Sequence, residues 1–333
     1  MDINSTRRSA FMTGVITASL AGGLAGAGAP VEAQQTGGKT IQFILPVATA
    51  SGIDTLTRAA QSELAKALGL PIVINNQPGA GGVIGTQQLV RSAPDGLTLS
   101  IISNNHVIYP SVLKSVPFDP VGDVTPIAKL GSTPLVMVVN PTKVAAKTVP
   151  ELTALMKAKP DQINYGSSGN GTILHLAAAM YVDQAGVKTT HVPYKGVGPL
   201  LTDLIGGQVD FAVLAYPSIM SHLKSGALRA IGVGTDKRIS AAPEIPTFLE
   251  QGMPDYRVEG WFAVIGPAKL PPAEVARIHA AFTTAFNSAE VKAAMARQAN
   301  TIDITSPEQA VAFIKSELGK YAAIAKKINL EPQ

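Results

Sequence analysis

Apolar and polar positions change period many times along this chain. Residues 41–45 form a short β-rich apolar run. Residues 54–68 then place Leu56, Ala59, Ala60, Leu64, Ala67 and Leu68 at the spacing of one helix face, with Asp54 where a side-chain oxygen can cap the first free amides. Strand and helix patterns repeat at 71–75 and 83–91. Further β-rich runs lie at 97–103, 135–140, 163–165, 191–194, 209–214 and 228–234, each followed by a turn cluster or a helical stretch. This alternation predicts an α/β fold with largely parallel sheets. Residues 271–288, 290–299 and 307–328 read as helices with few intervening strands, so the last part packs around a sheet built earlier. No internal repeat is visible.

The first residues follow another pattern. Arg7 and Arg8 precede a Gly/Ala-rich apolar run at 11–29, and Val31-Glu32-Ala33 offers small residues three and one positions before a cleavage point. A signal peptide over residues 1–33, a mature chain from Gln34 and a periplasmic location are therefore expected. The glycines in the run and the cleavage-like residues after it weigh against a retained anchor. Ser5-Thr6-Arg7-Arg8-Ser9-Ala10-Phe11 resembles a twin-arginine export signal, with Phe11 one residue late. No other stretch is long and apolar enough to span a bilayer.

At 333 residues the chain has length for two domains. Its net charge is +4, and loss of Arg7, Arg8, Asp2 and Glu32 would leave that balance unchanged. No dense Lys/Arg stripe with interleaved aromatics is present, so nucleic acid is not an expected partner. Cysteine is absent, which excludes thiol catalysis, disulfides and Cys-zinc sites. His106, His175, His191, His222 and His279 are scattered without metal-ligand spacing, so no metal is expected. Trp261 and Phe262, in a strand-like stretch, suit a core or hinge role.

Three Gly- or Ser-rich loops separate strand from helix, at 46–54, 78–85 and 166–172. Unpaired amides at a helix start, with the helix dipole behind them, bind a carboxylate or phosphate without any catalytic group. Glycine at such places also simply permits a tight turn, but three such loops in one chain favour a binding cleft at the carboxyl ends of the strands. His175 stands one turn beyond the third loop, where it could face that cleft, although a packed or surface histidine is the commoner outcome. The middle loop, Gly79-Ala80-Gly81-Gly82-Val83-Ile84-Gly85, imitates a dinucleotide fingerprint, which keeps a dinucleotide-binding oxidoreductase as an alternative. Its spacing is not a clean G-x-G-x-x-G, and Ser103-Asn104-Asn105 stands where a ribose-binding acid would be sought. Neither Ser167 nor Ser168 has glycine two residues away on both sides, so a nucleophile elbow is unsupported.

Five motifs carry a more specific signal: Asn76-Gln77-Pro78-Gly79-Ala80-Gly81-Gly82, Ala93-Pro94-Asp95-Gly96, Tyr165-Gly166-Ser167-Ser168-Gly169-Asn170-Gly171, His191-Val192-Pro193-Tyr194-Lys195-Gly196 and Leu204-Ile205-Gly206-Gly207-Gln208-Val209. In order and spacing they resemble the Bug family of periplasmic solute receptors, the TctC-like binding components of tripartite tricarboxylate transporters, over essentially the whole mature chain. The resemblance implies a type II periplasmic-binding fold, two α/β lobes joined by crossing strands with a ligand cleft between them. The implied domains are a discontinuous first lobe, 34–131 plus 260–333, and a second lobe, 132–259. It also implies a small organic carboxylate, an aliphatic di- or tricarboxylate or an aromatic acid, as ligand and membrane permease subunits as partners. A monomer with no cofactor and no catalytic residue is expected, and a ligand-presenting sensory receptor is a second reading. Carried over residue by residue, the ligand-binding candidates are Ala50, Ser51, Gly52 and Asp54 on one side and Ser167, Ser168, Gly169, Asn170 and Thr172 on the other. Two departures bear on the ligand. Val47 and Ala50-Ser51 replace the family's aromatic and Gly-Gly pair, and Val213-Leu214-Ala215-Tyr216 stands where many relatives have an acid, so a ligand without an ammonium group and with some apolar or aromatic surface is expected.

Overall fold

The computed structural model describes residues 38–333 apart from Ala50, Asn329, Glu331 and Gln333. The signal-peptide reading at 1–33 and the Ala50 candidate lie outside the described residues.

The chain opens as the pattern predicts: β1 (Ile41–Leu45), α1 (Gly52–Leu68), β2 (Ile72–Asn76), a 3-10 turn at Ala80–Gly82, α2 (Val83–Val90), β3 (Thr98–Ile102) and α3 (Asn105–Val112). A 16-residue strand, β4 (Val124–Val139), follows. Then come α4 (Val149–Ala158), β5 (Asn164–Ser167), α5 (Ile173–Ala185), β6 (Thr190–Pro193), α6 (Val197–Gly206), β7 (Phe211–Ala215), α7 (Tyr216–Lys224) and β8 (Arg229–Val233). The chain closes with β9 (Glu259–Pro267), α8 (Pro272–Asn287), α9 (Ala289–Arg297), a short β10 (Thr301–Ile302) and α10 (Pro307–Lys327).

β4 organises the whole. Its first part, Val124 to Pro134, pairs antiparallel with β9, which pairs antiparallel with β3; β1 lies parallel between β3 and β2. Its last part, Leu135 to Val139, runs antiparallel between β7 and β8, and β7, β5 and β6 follow in parallel. Two α/β lobes therefore share one continuous strand, and β9 crosses beside it. The expectation of largely parallel sheets is corrected to mixed ones. A strand sweeping from one lobe into the next takes one direction through both sheets, and here it opposes its neighbours in each.

Each lobe has its own apolar interior. Ile41, Phe43, Leu45, Leu56, Phe262 and Phe282 pack in the first, against α1, α8 and α9. Val136, Val138, Leu176, Tyr181, Phe211 and Phe248 pack in the second. Trp261 is buried on β9 and its indole N–H donates to Glu317 Oε2 at 2.8 Å, the core role expected of it. Among the described residues no helix is long and apolar enough to cross a membrane.

Candidate ligand-binding cleft

β1 delivers the chain into the first loop, and α1 begins immediately after it. Ser51, not Asp54, caps the helix: its Oγ accepts the Asp54 N–H at 3.3 Å and its carbonyl accepts from Thr55 N at 2.9 Å. Asp54 is three residues further in, too far along for the capping geometry the sequence suggested. Its buried carboxylate instead accepts from Arg58 Nε at 2.9 Å and Asn76 Nδ2 at 3.0 Å, and the same Asn76 nitrogen donates to Val47 O at 3.2 Å. Asp54 thus fastens the first loop to the end of β2. The amides of Gly52 and Ile53, at the positive end of α1, have no intrahelical acceptor.

β5 and α5 build the second loop in the same manner. Thr172 caps α5, its Oγ1 accepting from His175 N at 3.4 Å and donating to Gly169 O at 2.9 Å, while Ser168 Oγ donates to Thr172 Oγ1 at 3.2 Å. Ser167 is fully buried, and its Oγ donates to Gly169 O at 3.1 Å and lies 2.7 Å from His191 Nε2. A hydroxyl so enclosed braces the loop from behind. Ser168 and Gly169 are partly accessible and Asn170 is exposed.

His175 does not turn into the cleft as a polar lining group. Its Nδ1 accepts the Gly171 N–H at 3.1 Å, which puts the ring proton on Nε2, and its ring stacks on His191 at 3.8 Å with Tyr165 beyond. Burial pushes His175 down to about 3, with the neighbouring His191 adding to the effect, and burial pushes His191 down to about 4. Both rings are neutral packing elements at ordinary pH.

The middle glycine loop has a different purpose. The Gly82 N–H donates to Gly79 O at 2.9 Å and the Val83 N–H to Ala80 O, so amides that a pyrophosphate would need are spent in the turn. Gly82 has φ 122°, and a Cβ there would stand 2.7 Å from Pro46 O; one at Gly85 would stand 2.9 Å from Pro46 Cα. These glycines let the middle loop press against the first loop.

The two lobes meet across the loops. A Cβ on Gly196, in the turn before α6, would lie 3.9 Å from Ala48 Cβ in the first loop. Asn105, at the start of α3, donates to Gly81 O at 3.3 Å and accepts the Ile173 N–H at 2.8 Å. The capped starts of α1 and α5 thus belong to two loops held close to one another. Of the candidates, Ser51, Gly52, Ser168, Gly169 and Asn170 keep surface in this region, whereas Asp54, Ser167 and Thr172 are buried braces. Sequence reasoning missed Arg58, Asn76, Asn105 and His191 as the residues that hold the loops. Asn76 and His191 stood inside quoted motifs, and no local pattern marked Arg58. A cavity of about 420 Å³, lined by Val149, Thr153, Lys157, Gln184, Gln251 and Met253, carries none of these loops.

The profile of the tripartite tricarboxylate transporter family receptor, TctC, matches residues 56–330. The chain belongs to this family. It is 33% identical over 305 residues to protein BugT of Bordetella pertussis, covering 91% of this chain and 93% of that one. The solved structure of the periplasmic binding protein BugD superposes with a TM-score of 0.83 at 26% identity, over 88% of this chain and 99% of that one. MatC from Rhodopseudomonas palustris with bound malate gives 0.80 at 26% identity, over 86% and 98%. An R. palustris protein with adipate gives 0.84 at 25% identity, over 88% and 98%. The TctC receptor family and the two-lobed periplasmic-binding fold are those the five sequence motifs imply.

Proposed function

We propose that this TctC-family protein is a periplasmic receptor that closes two lobes over a small organic carboxylate and hands it to the membrane permease subunits of a tripartite tricarboxylate-type transporter, without catalysing any reaction. The observation that carries the reading is the pair of capped helix starts, Ser51 on α1 and Thr172 on α5, on two loops brought together across the lobes. The start of α1 leaves the Gly52 and Ile53 amides without an intrahelical acceptor, and the loop leading into α5 presents Ser168, Gly169 and Asn170 at the positive end of a helix, the chemistry that suits a carboxylate. Malate in MatC and adipate in its R. palustris relative support that class of ligand. Within the cleft the ligand contacts fall to Ala50, Ser51 and Gly52 and to Ser168, Gly169 and Asn170, with Asp54, Ser167 and Thr172 setting their positions. In this reading the lobes divide at residues 131/132 and 259/260, within β4 and β9. Residues 1–33 direct export and are removed, and the mature chain works as a monomer.

The test is a thermal-shift screen of the chain from Gln34 against mono-, di- and tricarboxylates, aromatic acids, amino acids and nucleotides. A ligand of the native state at one hundred times its Kd adds about 2.7 kcal/mol of stability, several degrees in Tm. Stabilisation by one carboxylate class is the expected result; stabilisation by NAD(P) alone would overturn the receptor reading.

A further inference from the structure

Asn104 and Asn105 sit side by side at the junction of β3 and α3, and each ties together elements far apart in the chain. Asn104 is fully buried. Its Nδ2 donates to Glu259 O at 3.1 Å and Tyr321 Oη at 2.7 Å, and its Oδ1 accepts the Trp261 N–H at 3.0 Å. The start of α3 is thereby anchored to crossing strand β9 and to α10. From that anchored base Asn105 reaches the other way. A peptide N–H can only donate and a carbonyl only accept, so the amide orientation is fixed by its partners: Oδ1 toward Ile173 N, Nδ2 toward Gly81 O. About two turns further along α3, Val112 fills the space a side chain at Gly171 would need, so α3 and the second loop are also in apolar contact.

Ile173 is the first residue of α5, and its N–H has no acceptor within the helix. Asn105 supplies one from outside the second lobe. This bond exists only while the lobes are together, and it involves no ligand atom.

We propose that Asn105 is the positioning residue of the closed cleft: it latches the Gly81 loop to the N-terminus of α5 through the Ile173 amide, so that the empty receptor populates the closed form and one α5 amide is withheld from the ligand. The purpose rests on the receptor reading above, but the latch is tested without any ligand, so the two stand or fall separately.

The chain has no cysteine, so spin labels at Q88C on α2 and T202C on α6 would report one inter-lobe distance by pulsed electron paramagnetic resonance. In otherwise unchanged, ligand-free protein the short distance is expected to be a major component. Asn105→Ala removes the acceptor and should lower the closed-to-open ratio about three- to tenfold, the range of one hydrogen bond. Ile173→Pro removes the donor instead. Proline is accepted at the first position of a helix, and Thr172 at φ −78°, ψ 160° already has the conformation that precedes it. The two changes break the same bond, so the double variant should open no further than either single one, and Asn105→Asp, which keeps an acceptor, should stay mostly closed. If Asn105→Ala does not fold, Ile173→Pro carries the test. The latch is overturned if the unchanged receptor shows no short-distance component, if the single variants leave the distances unchanged, or if their effects add.

Discussion

His175 illustrates how a residue beside the cleft acts from behind it. Its Nδ1 must be unprotonated to accept the Gly171 N–H, and its ring stacks on His191, with Tyr165 beyond. The groups facing it are therefore a phenol and a second neutral imidazole, neither of which stabilises a positive ring. Its pKa of about 3 lies below the ordinary 6.5. The unfolded chain thus takes up a proton that the fold refuses, and the associated stability is complete above pH 6.5 and is lost as pH falls from there toward 3. Denaturation followed from pH 7 to 4 should show falling stability. His175→Asn keeps an oxygen near Nδ1 but cannot titrate, and should remove up to about 1.4 kcal/mol per pH unit from that slope. A slope unchanged in the variant would assign the acid sensitivity to His106 and His191, both held at about 4 by burial. The same scale shows where residue-level reading fails: Asp54 and Ser51 are both good caps by type, and only the path of the first loop decides that Ser51 caps while Asp54 binds Arg58 and Asn76.

Helices are the elements most completely specified by their own sequence, and α10 shows why. Ser306 and Gln309 form a capping box, with Ser306 Oγ accepting from Gln309 N at 3.3 Å and Gln309 Oε1 accepting from Ser306 N at 3.0 Å. Ile314 and Tyr321 on this helix enter the core next to Asn104. Ser306→Ala should cost about 1 kcal/mol, a Tm loss of a few degrees in thermal denaturation, with binding of any ligand found in the screen unchanged. Strands were legible where apolar runs were unbroken, as at Ile41–Leu45, and illegible in the first part of β4. There Pro126, Gly131 and Pro134 interrupt the pattern, and the register shifts between Pro126 and Ala128 and again between Lys129 and Gly131. Bulges absorb the interruptions, but the pairing that makes them tolerable comes from β9, more than a hundred residues away. The candidate loops were legible for the opposite reason: strand, glycine cluster and helix are contiguous, whereas the clamps made by Asn76, Asn105 and His191 span 22, 68 and 24 residues.

At the scale of the whole molecule, the question is which charges the closed cleft can satisfy. Under the proposed function a carboxylate would meet the starts of two helices. An ammonium group needs an anionic partner, and the acid nearest the first loop, Asp54, is already engaged by Arg58 and Asn76. On the other lobe, β7 ends in Val213-Leu214-Ala215, and the next residue, Tyr216, is buried with its hydroxyl toward Ala241 O at 3.4 Å. Neither of these two positions supplies an acid to replace the water an ammonium would lose on closure, and leaving a charge unpaired there costs several kcal/mol. Matched pairs separate this term from the carboxylates themselves: succinate against aspartate, and glutarate against glutamate, differ by one amino group. Calorimetry on the chain from Gln34 should give the amino acids at least tenfold weaker binding, about 1.4 kcal/mol, with aliphatic or aromatic acids the tighter class. Aspartate or glutamate binding more tightly than its unaminated partner would mean that Asp54 exchanges Arg58 for the ligand on closure, and Arg58→Gln would then strengthen amino-acid binding further.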